Sequence, residues 1–251
     1  MNQHTMNQAT LWFQAELNDF LPRARRDRSF PHAFQDRVSI KDMIESLGVP
    51  HTEVAAIFVN GGPVSFSYIV QDGDRVDVYP ASAPIASTAP PLRPPIPPEP
   101  RFVLDTHLGQ LAAYLRMLGF DTLYRNDYSD DELARISSQE QRILLTRDRG
   151  LLKRGIVVHG YYVRETAPQR QLVEILRRYQ LTDAIAPLRR CIRCNGLLHS
   201  VQKADIAERL APKTREFFDA FSVCVACDQV YWKGSHYEQM RLFIESVLGH
   251  E

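Results

Sequence analysis

Residues 101–124 read Arg101-Phe-Val-Leu-Asp-Thr-His-Leu-Gly-Gln-Leu-Ala-Ala-Tyr-Leu-Arg-Met-Leu-Gly-Phe-Asp-Thr-Leu-Tyr124. Arg101 to Asp105 holds an apolar run of the kind that a buried strand needs. Leu108, Leu111, Ala112, Leu115 and Leu118 then recur at helical spacing, and Gly119 supplies a stop. Phe120 to Tyr124 gives a second strand. A strand, a helix and a strand in such short order predict parallel pairing across a helical crossover.

The same alternation continues downstream. Asp130 to Gln139 predicts a helix, Arg142 to Thr146 a third strand, the region near Leu151 a short helix, Ile156 to Val163 a fourth strand, and Pro168 to Tyr179 a further helix. The expected fold class is α/β, a parallel sheet wrapped by helices over residues 101–185. In open sheets of this kind ligands bind beyond the carboxyl ends of the strands. Asp105 follows the first strand, Asp148 follows Thr146 at the end of the third, and Asp130 and Asp131 open a helix. Acidic oxygen ligands without His or Cys select Mg²⁺ or Mn²⁺, and an ion so held activates water for phosphodiester hydrolysis. Each acid also has a plainer use, Asp130 or Asp131 as a helix cap and Asp148 as a turn residue.

Four cysteines stand as Cys191-Ile-Arg-Cys194 and Cys224-Val-Ala-Cys227, with 29 residues between the pairs. Two Cys-x-x-Cys turns supply the four thiolates of a closed structural Zn²⁺ site, with no open position for chemistry. Disulfides or free thiols are the alternatives, and the lack of a visible export signal weighs against disulfides. Residues 186–251 are therefore expected to form a zinc ribbon and a C-terminal helix. Helical insertions are expected around Ala204 to Leu210 and Phe217 to Phe221, packed on the α/β core. Tyr231-Trp232-Lys233-Gly234-Ser235-His236 follows closely. Its rings and lysine offer a stacking and phosphate surface for single-stranded RNA, or else Tyr231 and Trp232 are core beneath the zinc turn.

Residues 80–100 hold most of the 16 prolines and almost no groups able to pack, which predicts a linker over 81–100. Upstream, Thr10 to Leu17 alternates as a strand. Ser39 is placed to cap a helix with apolar residues at 40, 43, 44 and 47 and a stop at Gly48. Strands at 54–59 and 75–79, with turns at Asn60-Gly61-Gly62 and Asp72-Gly73-Asp74, complete a small α+β domain over residues 1–80 whose size and order suit a β-grasp.

Formal net charge is zero, which argues against a strongly basic nucleic-acid binder, but residues 1–80 carry 7 Lys+Arg against 10 Asp+Glu and residues 101–251 carry 22 against 19. Arg147, Arg149, Lys153 and Arg154 make a local cationic cluster, either a phosphate surface or a solvated face. No apolar run approaches the roughly 18 residues of a membrane span, and Met1 to Thr10 lacks the features of a signal peptide. A cytoplasmic protein with no membrane partner is expected.

Longer blocks carry a family resemblance. Ile44 to Val54, Val59-Asn-Gly61 and Asp72-Gly-Asp-Arg-Val-Asp-Val-Tyr-Pro80 resemble the ubiquitin-related domain that precedes the Mut7-C ribonuclease domain. Leu104 to Asp121, Asp130-Asp-Glu-Leu133, Arg142-Ile-Leu-Leu-Thr-Arg-Asp148, Cys191 to Gly196 and Cys224 to His236 resemble the Mut7-C domain itself. The resemblance implies a PIN-like nuclease fold with an appended zinc ribbon and metal-dependent RNA cleavage. Carried over, Asp105, Asp131 (or Asp130) and Asp148 are the catalytic, metal-binding acids, and Thr146 and Arg147 shape the pocket. Lys153, Trp232 and His236 are the remaining candidate substrate contacts. PIN nucleases often present a fourth acid, for which Asp127 and Glu132 are the candidates here. The ubiquitin-like domain is similar in fold to small sulfur carriers, but it runs through Val78-Tyr79-Pro80 into the linker without a free Gly-Gly end. Two functions are thus expected in order: a Mg²⁺- or Mn²⁺-dependent ribonuclease, then a non-catalytic RNA-binding or adaptor protein that uses the ribbon and β-grasp surfaces to recruit partners.

Overall fold

The computed structural model describes residues 6–35, 37–83 and 89–248, apart from the side chains of 236, 240, 244 and 246–248. Five strands form the N-terminal sheet: β1 (Asn7–Phe13), β2 (Phe30–Phe34), β3 (Val54–Val59), β4 (Gly62–Pro63) and β5 (Arg75–Pro80), in the order β2-β1-β5-β3-β4. β1 and β5 run parallel, with Leu11 opposite Val76 and Phe13 opposite Val78. The helix α1 (Ile40–Ser46) starts where the Ser39 hydroxyl accepts the Asp42 N–H at 3.1 Å, a cap worth about 1 kcal/mol. Its Ile40, Met43 and Ile44 join Leu11, Phe13, Val76 and Val78 in one core. Gly48 stops it with φ of +103°. The first strand ends at Phe13, short of the expected Leu17, because Ala15 turns to φ +46° and opens a 3-10 helix. β2 had no counterpart in the sequence reading. Pro31 interrupts its pattern, and an edge strand tolerates the missing N–H.

The proline-rich stretch contains packing groups after all. Leu92 lies against the N-terminal core, and the Arg93 guanidinium donates to the carbonyls of His51, at 2.9 Å, Thr52 and Val54. Nearer its start, the Ser82 hydroxyl donates to Glu16 at 2.5 Å.

The α/β portion comprises β6 (Phe102–Leu104), α2 (Gly109–Met117), β7 (Thr122–Tyr124), α3 (Asp130–Gln139), β8 (Ile143–Thr146), α4 (Arg149–Leu152), β9 (Gly160–Tyr162) and α5 (Pro168–Tyr179). β6 pairs with β7 and β8 with β9, both parallel. β6 and β8 are buried along their whole length, as apolar runs in covered parallel sheets must be. α3 opens on a full capping box between Ser129 and Glu132.

Packing gathers the chain into two units, Met1–Glu99 with Ser129–Tyr162, and Pro100–Tyr128 with Val163–Glu251. In the first, polar groups of the N-terminal domain meet the α4–β9 segment: buried Glu53 accepts the Tyr162 N–H at 2.7 Å, and His51 Nε2 lies 2.9 Å from the Val157 carbonyl.

The second unit carries β10 (Leu198–Val201), α6 (Lys203–Ile206), α7 (Pro212–Phe217), β11 (Phe221–Cys224), β12 (Val230–Trp232) and α8 (Ser235–Leu248). The three strands form an antiparallel sheet in the order β10-β11-β12. The insertion differs from expectation in two ways. Its second helix begins at Pro212, whose fixed φ suits a first helical position, so Phe221 falls in a strand. Ile206, Leu210, Phe221 and Val223 cluster with Val201, Phe218 and Val230, so the insertion packs on the ribbon's own sheet instead of the α/β core. Among the described residues no helix is long and apolar enough to cross a membrane.

Candidate functional site

The cysteine turns are built alike. Asn195 N–H donates to Cys191 O at 2.9 Å and Asp228 N–H to Cys224 O at 3.0 Å, while Cys191 N–H reaches Gly196 O at 2.8 Å and Cys224 N–H reaches Gln229 O at 3.0 Å. Asn195 and Asp228 each take positive φ, 68° and 60°, the conformation their short polar side chains tolerate best among non-glycine residues. Gly196 is needed for clearance: a Cβ there would lie 2.9 Å from Cys224 Sγ.

All four Sγ atoms lie within 4.8 Å of one another, with Cys191 and Cys227 at 3.5 Å and Cys194 and Cys224 at 3.4 Å. These separations far exceed the about 2.05 Å of a disulfide and approach the about 3.8 Å between sulfurs in a tetrahedron of about 2.3 Å Zn–S bonds. The donor set therefore fits a structural zinc ion. Among the described residues it is the one set of three or more His, Cys, Asp or Glu side chains gathered closely enough to share an ion. Burial opposes ionisation of Cys191, yet the Tyr231 hydroxyl and the Cys194 backbone N–H outweigh it and bring the thiol down to about 7. Burial and the neighbouring sulfurs push Cys194 up to about 12. Tyr231 Oη sits 3.1 Å from Cys191 Sγ and accepts the Ile192 N–H at 3.1 Å, so the tyrosine supports the site from beneath.

Arg116 and Asn195 fasten the first turn to β7. Arg116, buried at the end of α2, donates to Thr122 O at 2.8 Å, Ile192 O at 3.1 Å, Arg193 O at 3.2 Å and Tyr124 O at 3.4 Å. Asn195 accepts the Thr122 N–H at 2.9 Å and donates to Asp121 at 2.8 Å, which also faces Arg190. Neither Arg116 nor Asn195 was singled out from sequence. A lone arginine inside an otherwise apolar helical stripe, and an Asn-Gly directly after a Cys-x-x-Cys, were the available signals.

The aspartates occupy the ends of their elements. Asp105 follows β6, is 9% exposed, and its Oδ1 accepts the Thr106 N–H at 2.6 Å. Tyr124 closes over that turn by donating to Thr106 O at 2.9 Å, and Gly109 makes room for its ring. Asp148 follows β8 and caps α4, its Oδ1 accepting from Gly150 N at 2.6 Å and Leu151 N at 3.4 Å. Buried Thr146 fixes the same turn by accepting the Asp148 N–H at 2.9 Å. Arg147 is half-buried. Asp130 and Asp131 share Arg154: Asp131 is ion-paired with it and Asp130 lies 4.0 Å away, both on exposed side chains. Of the fourth-acid candidates, Asp127 pairs with Arg125 at 2.8 Å, which holds its carboxyl below the usual range, and Glu132 completes the capping box.

Among the remaining candidates, Lys153 Nζ donates to Glu45 O at 2.6 Å. Trp232 is 36% exposed, tilts against Phe218 and Phe221, and borders a cavity of about 260 Å³ lined also by Met117, Ile192, Tyr231 and Tyr237. Lys233 Nζ lies 5.5 Å from the centre of the Tyr237 ring. The side chain of His236 lies outside the described residues.

Parallel strands flanked by helices, an N-terminal mixed sheet and a four-cysteine cluster define an α/β protein with a metal-ribbon module. Residues 100–244 match the Mut7-C RNAse domain and residues 6–86 the Mut7-C ubiquitin domain, and the chain belongs to the Mut7-C RNAse domain family. Membership gives it a ribonuclease-type domain. No curated protein and no solved structure matches it.

Proposed function

We propose that this chain is a cytoplasmic, Mg²⁺- or Mn²⁺-dependent ribonuclease that hydrolyses phosphodiester bonds of single-stranded RNA. The observation that carries the reading is the position of Asp105, directly after the buried strand β6, and of Asp148, two residues past the end of buried β8, in a chain of the Mut7-C RNAse domain family. Mg²⁺ commonly binds through one or two carboxylates plus waters and a substrate phosphate, so the acids need no closed cage before substrate arrives. When bound, the ion would lower the pKa of a water and shield charge on the phosphate. Attack of that water on phosphorus with departure of the 3′-oxygen, as in two-metal nucleases, would leave a 3′-hydroxyl and a 5′-phosphate.

Asp105 and Asp148, with Asp131 or Asp130, hold the ion. Thr146 fixes the Asp148 turn, and Arg147 contacts phosphate. Trp232 stacks an unpaired base, with Lys233 and His236 beside the sugar-phosphate chain. Zinc on Cys191, Cys194, Cys224 and Cys227 holds the ribbon's shape. The test is cleavage of single-stranded RNA with Mn²⁺ by the wild type, Asp105→Asn and Asp148→Asn. Cleavage by the wild type alone supports the reading, and equal rates in all three remove it. The pairing of Asp130 and Asp131 with Arg154 favours the second reading, a non-catalytic RNA-binding or adaptor protein, which requires RNA binding that survives EDTA without turnover.

A further inference from the structure

Two cations of the Arg147–Arg154 cluster are engaged by the N-terminal domain. Arg149, the first residue of α4, donates to Phe20 O at 3.2 Å and Asp19 O at 3.4 Å. Its guanidinium stacks 5.0 Å from the Phe20 ring and 5.6 Å from Tyr162, and those two rings meet edge to face at 5.4 Å. Lys153, just past the other end of α4, donates to Glu45 O, and Glu45 in turn faces His51 Nδ1 at 2.6 Å. Further along, His51 meets Val157 O and Glu53 takes the Tyr162 N–H. Gly160 allows the close approach of β9, since a Cβ there would stand 2.6 Å from Leu152 and 3.4 Å from Thr52.

A four-residue helix has too few internal hydrogen bonds to hold itself. α4 is nevertheless the element whose Gly150 and Leu151 N–H groups fix the Asp148 carboxylate. The contacts at its two ends, from Phe20 and from Glu45, are what the chain supplies in place of helix length. We propose that the ubiquitin-like domain works in cis as the rigid seat of α4, and that Arg149 and Lys153 are positioning residues for Asp148 and not phosphate ligands. The catalytic meaning of this role rests on the ribonuclease reading. The docking itself does not.

The experiment uses the full-length chain with Lys153→Met, Lys153→Arg, Arg149→Met and the double variant Arg149→Met/Lys153→Met. Three quantities are read: amide exchange at Gly150 and Leu151, affinity for a fluorescent single-stranded RNA in EDTA, and kcat and KM with Mn²⁺. Exchange at both amides is expected to speed up about tenfold in the methionine variants, as local opening becomes easier, and to recover in Lys153→Arg. RNA affinity and KM should stay at the wild-type level while kcat falls about ten- to a hundredfold, the cost of a misplaced catalytic group. Unchanged exchange in the double variant, or a loss of RNA affinity with kcat intact, overturns the proposal. If the wild type itself cleaves nothing, the ribonuclease reading fails, and the exchange rates still decide whether the N-terminal domain seats α4. Should the double variant not fold, Lys153→Met and Lys153→Arg alone give the same comparison.

Discussion

The guanidinium of Arg116 donates to the carbonyl oxygen of Ile192, between the first two cysteines of the metal cluster, at 3.1 Å. One buried side chain thereby ties the end of α2, the strand β7 and a zinc turn together. Replacing it with methionine keeps much of the volume and removes every donor. Arg116→Met is expected to cost about 2–4 kcal/mol, because the buried Thr122 carbonyl loses its guanidinium donor and three part-buried carbonyls lose theirs with it. Thermal unfolding of the two proteins measures it.

Metal content gives a second test. The chain should carry one zinc per molecule, and Cys194→Ser should lose it. Stripping the wild type with a chelator should also raise exchange at the Thr122 amide, because that N–H is bonded to Asn195, which directly follows Cys194. Metal analysis and amide exchange report the two effects separately.

Tyr231→Phe isolates the support beneath the cluster. The hydroxyl touches both Cys191 Sγ and the Ile192 N–H, so its removal leaves all four thiolates but loosens one of them. Outer partners of this type are worth about ten- to a hundredfold in metal affinity. Competition against a chromogenic zinc chelator should show a loss in that range, and an unchanged affinity would assign the tyrosine to packing alone.

A pH dependence follows from His159. Burial, followed by the charge of Arg93, holds this imidazole below its ordinary value of 6.5 in the folded chain. As pH falls, the unfolded chain takes up the proton first. The stability contributed is therefore complete above pH 6.5 and is lost as pH falls from there to the lowered folded value. His159→Asn should flatten the unfolding midpoint across that interval.

Gly119 ends α2 with φ of +94°, and a Cβ on it would collide with the Ala186 carbonyl. Gly119→Ala therefore combines an unfavourable backbone with a steric clash and should cost more than about 1 kcal/mol. Denaturant titration is the direct measurement.

Much of this arrangement was readable from pattern. The helices Asp130–Gln139 and Pro168–Tyr179 span the expected residues, although the first is capped by Ser129 and not by Asp130 or Asp131. The four-cysteine cluster followed from spacing alone, since a Cys-x-x-Cys turn constrains its own geometry. What escaped was set by partners distant in sequence. β2 carries a proline that disguises a strand, and only its place at the sheet edge makes that harmless. Arg149 and Lys153 read as a solvated or phosphate-binding pair because charge identity says nothing about which carbonyls lie opposite. The aspartates were legible as strand-end and helix-start residues, whereas the Arg154 partner shared by Asp130 and Asp131 depends on how the helix and the following segment fold back.

Arg93 has one last bearing. Because its guanidinium grips three carbonyls of the ubiquitin-like fold, beside His51, the tether between that fold and the first strand downstream is only the short stretch from Pro94 to Arg101. Association across so short a tether proceeds at an effective concentration in the millimolar range, far above what a separate polypeptide reaches. Dilution cannot dissociate such a contact, and a free copy of the N-terminal domain added at micromolar levels has no means of displacing the attached one.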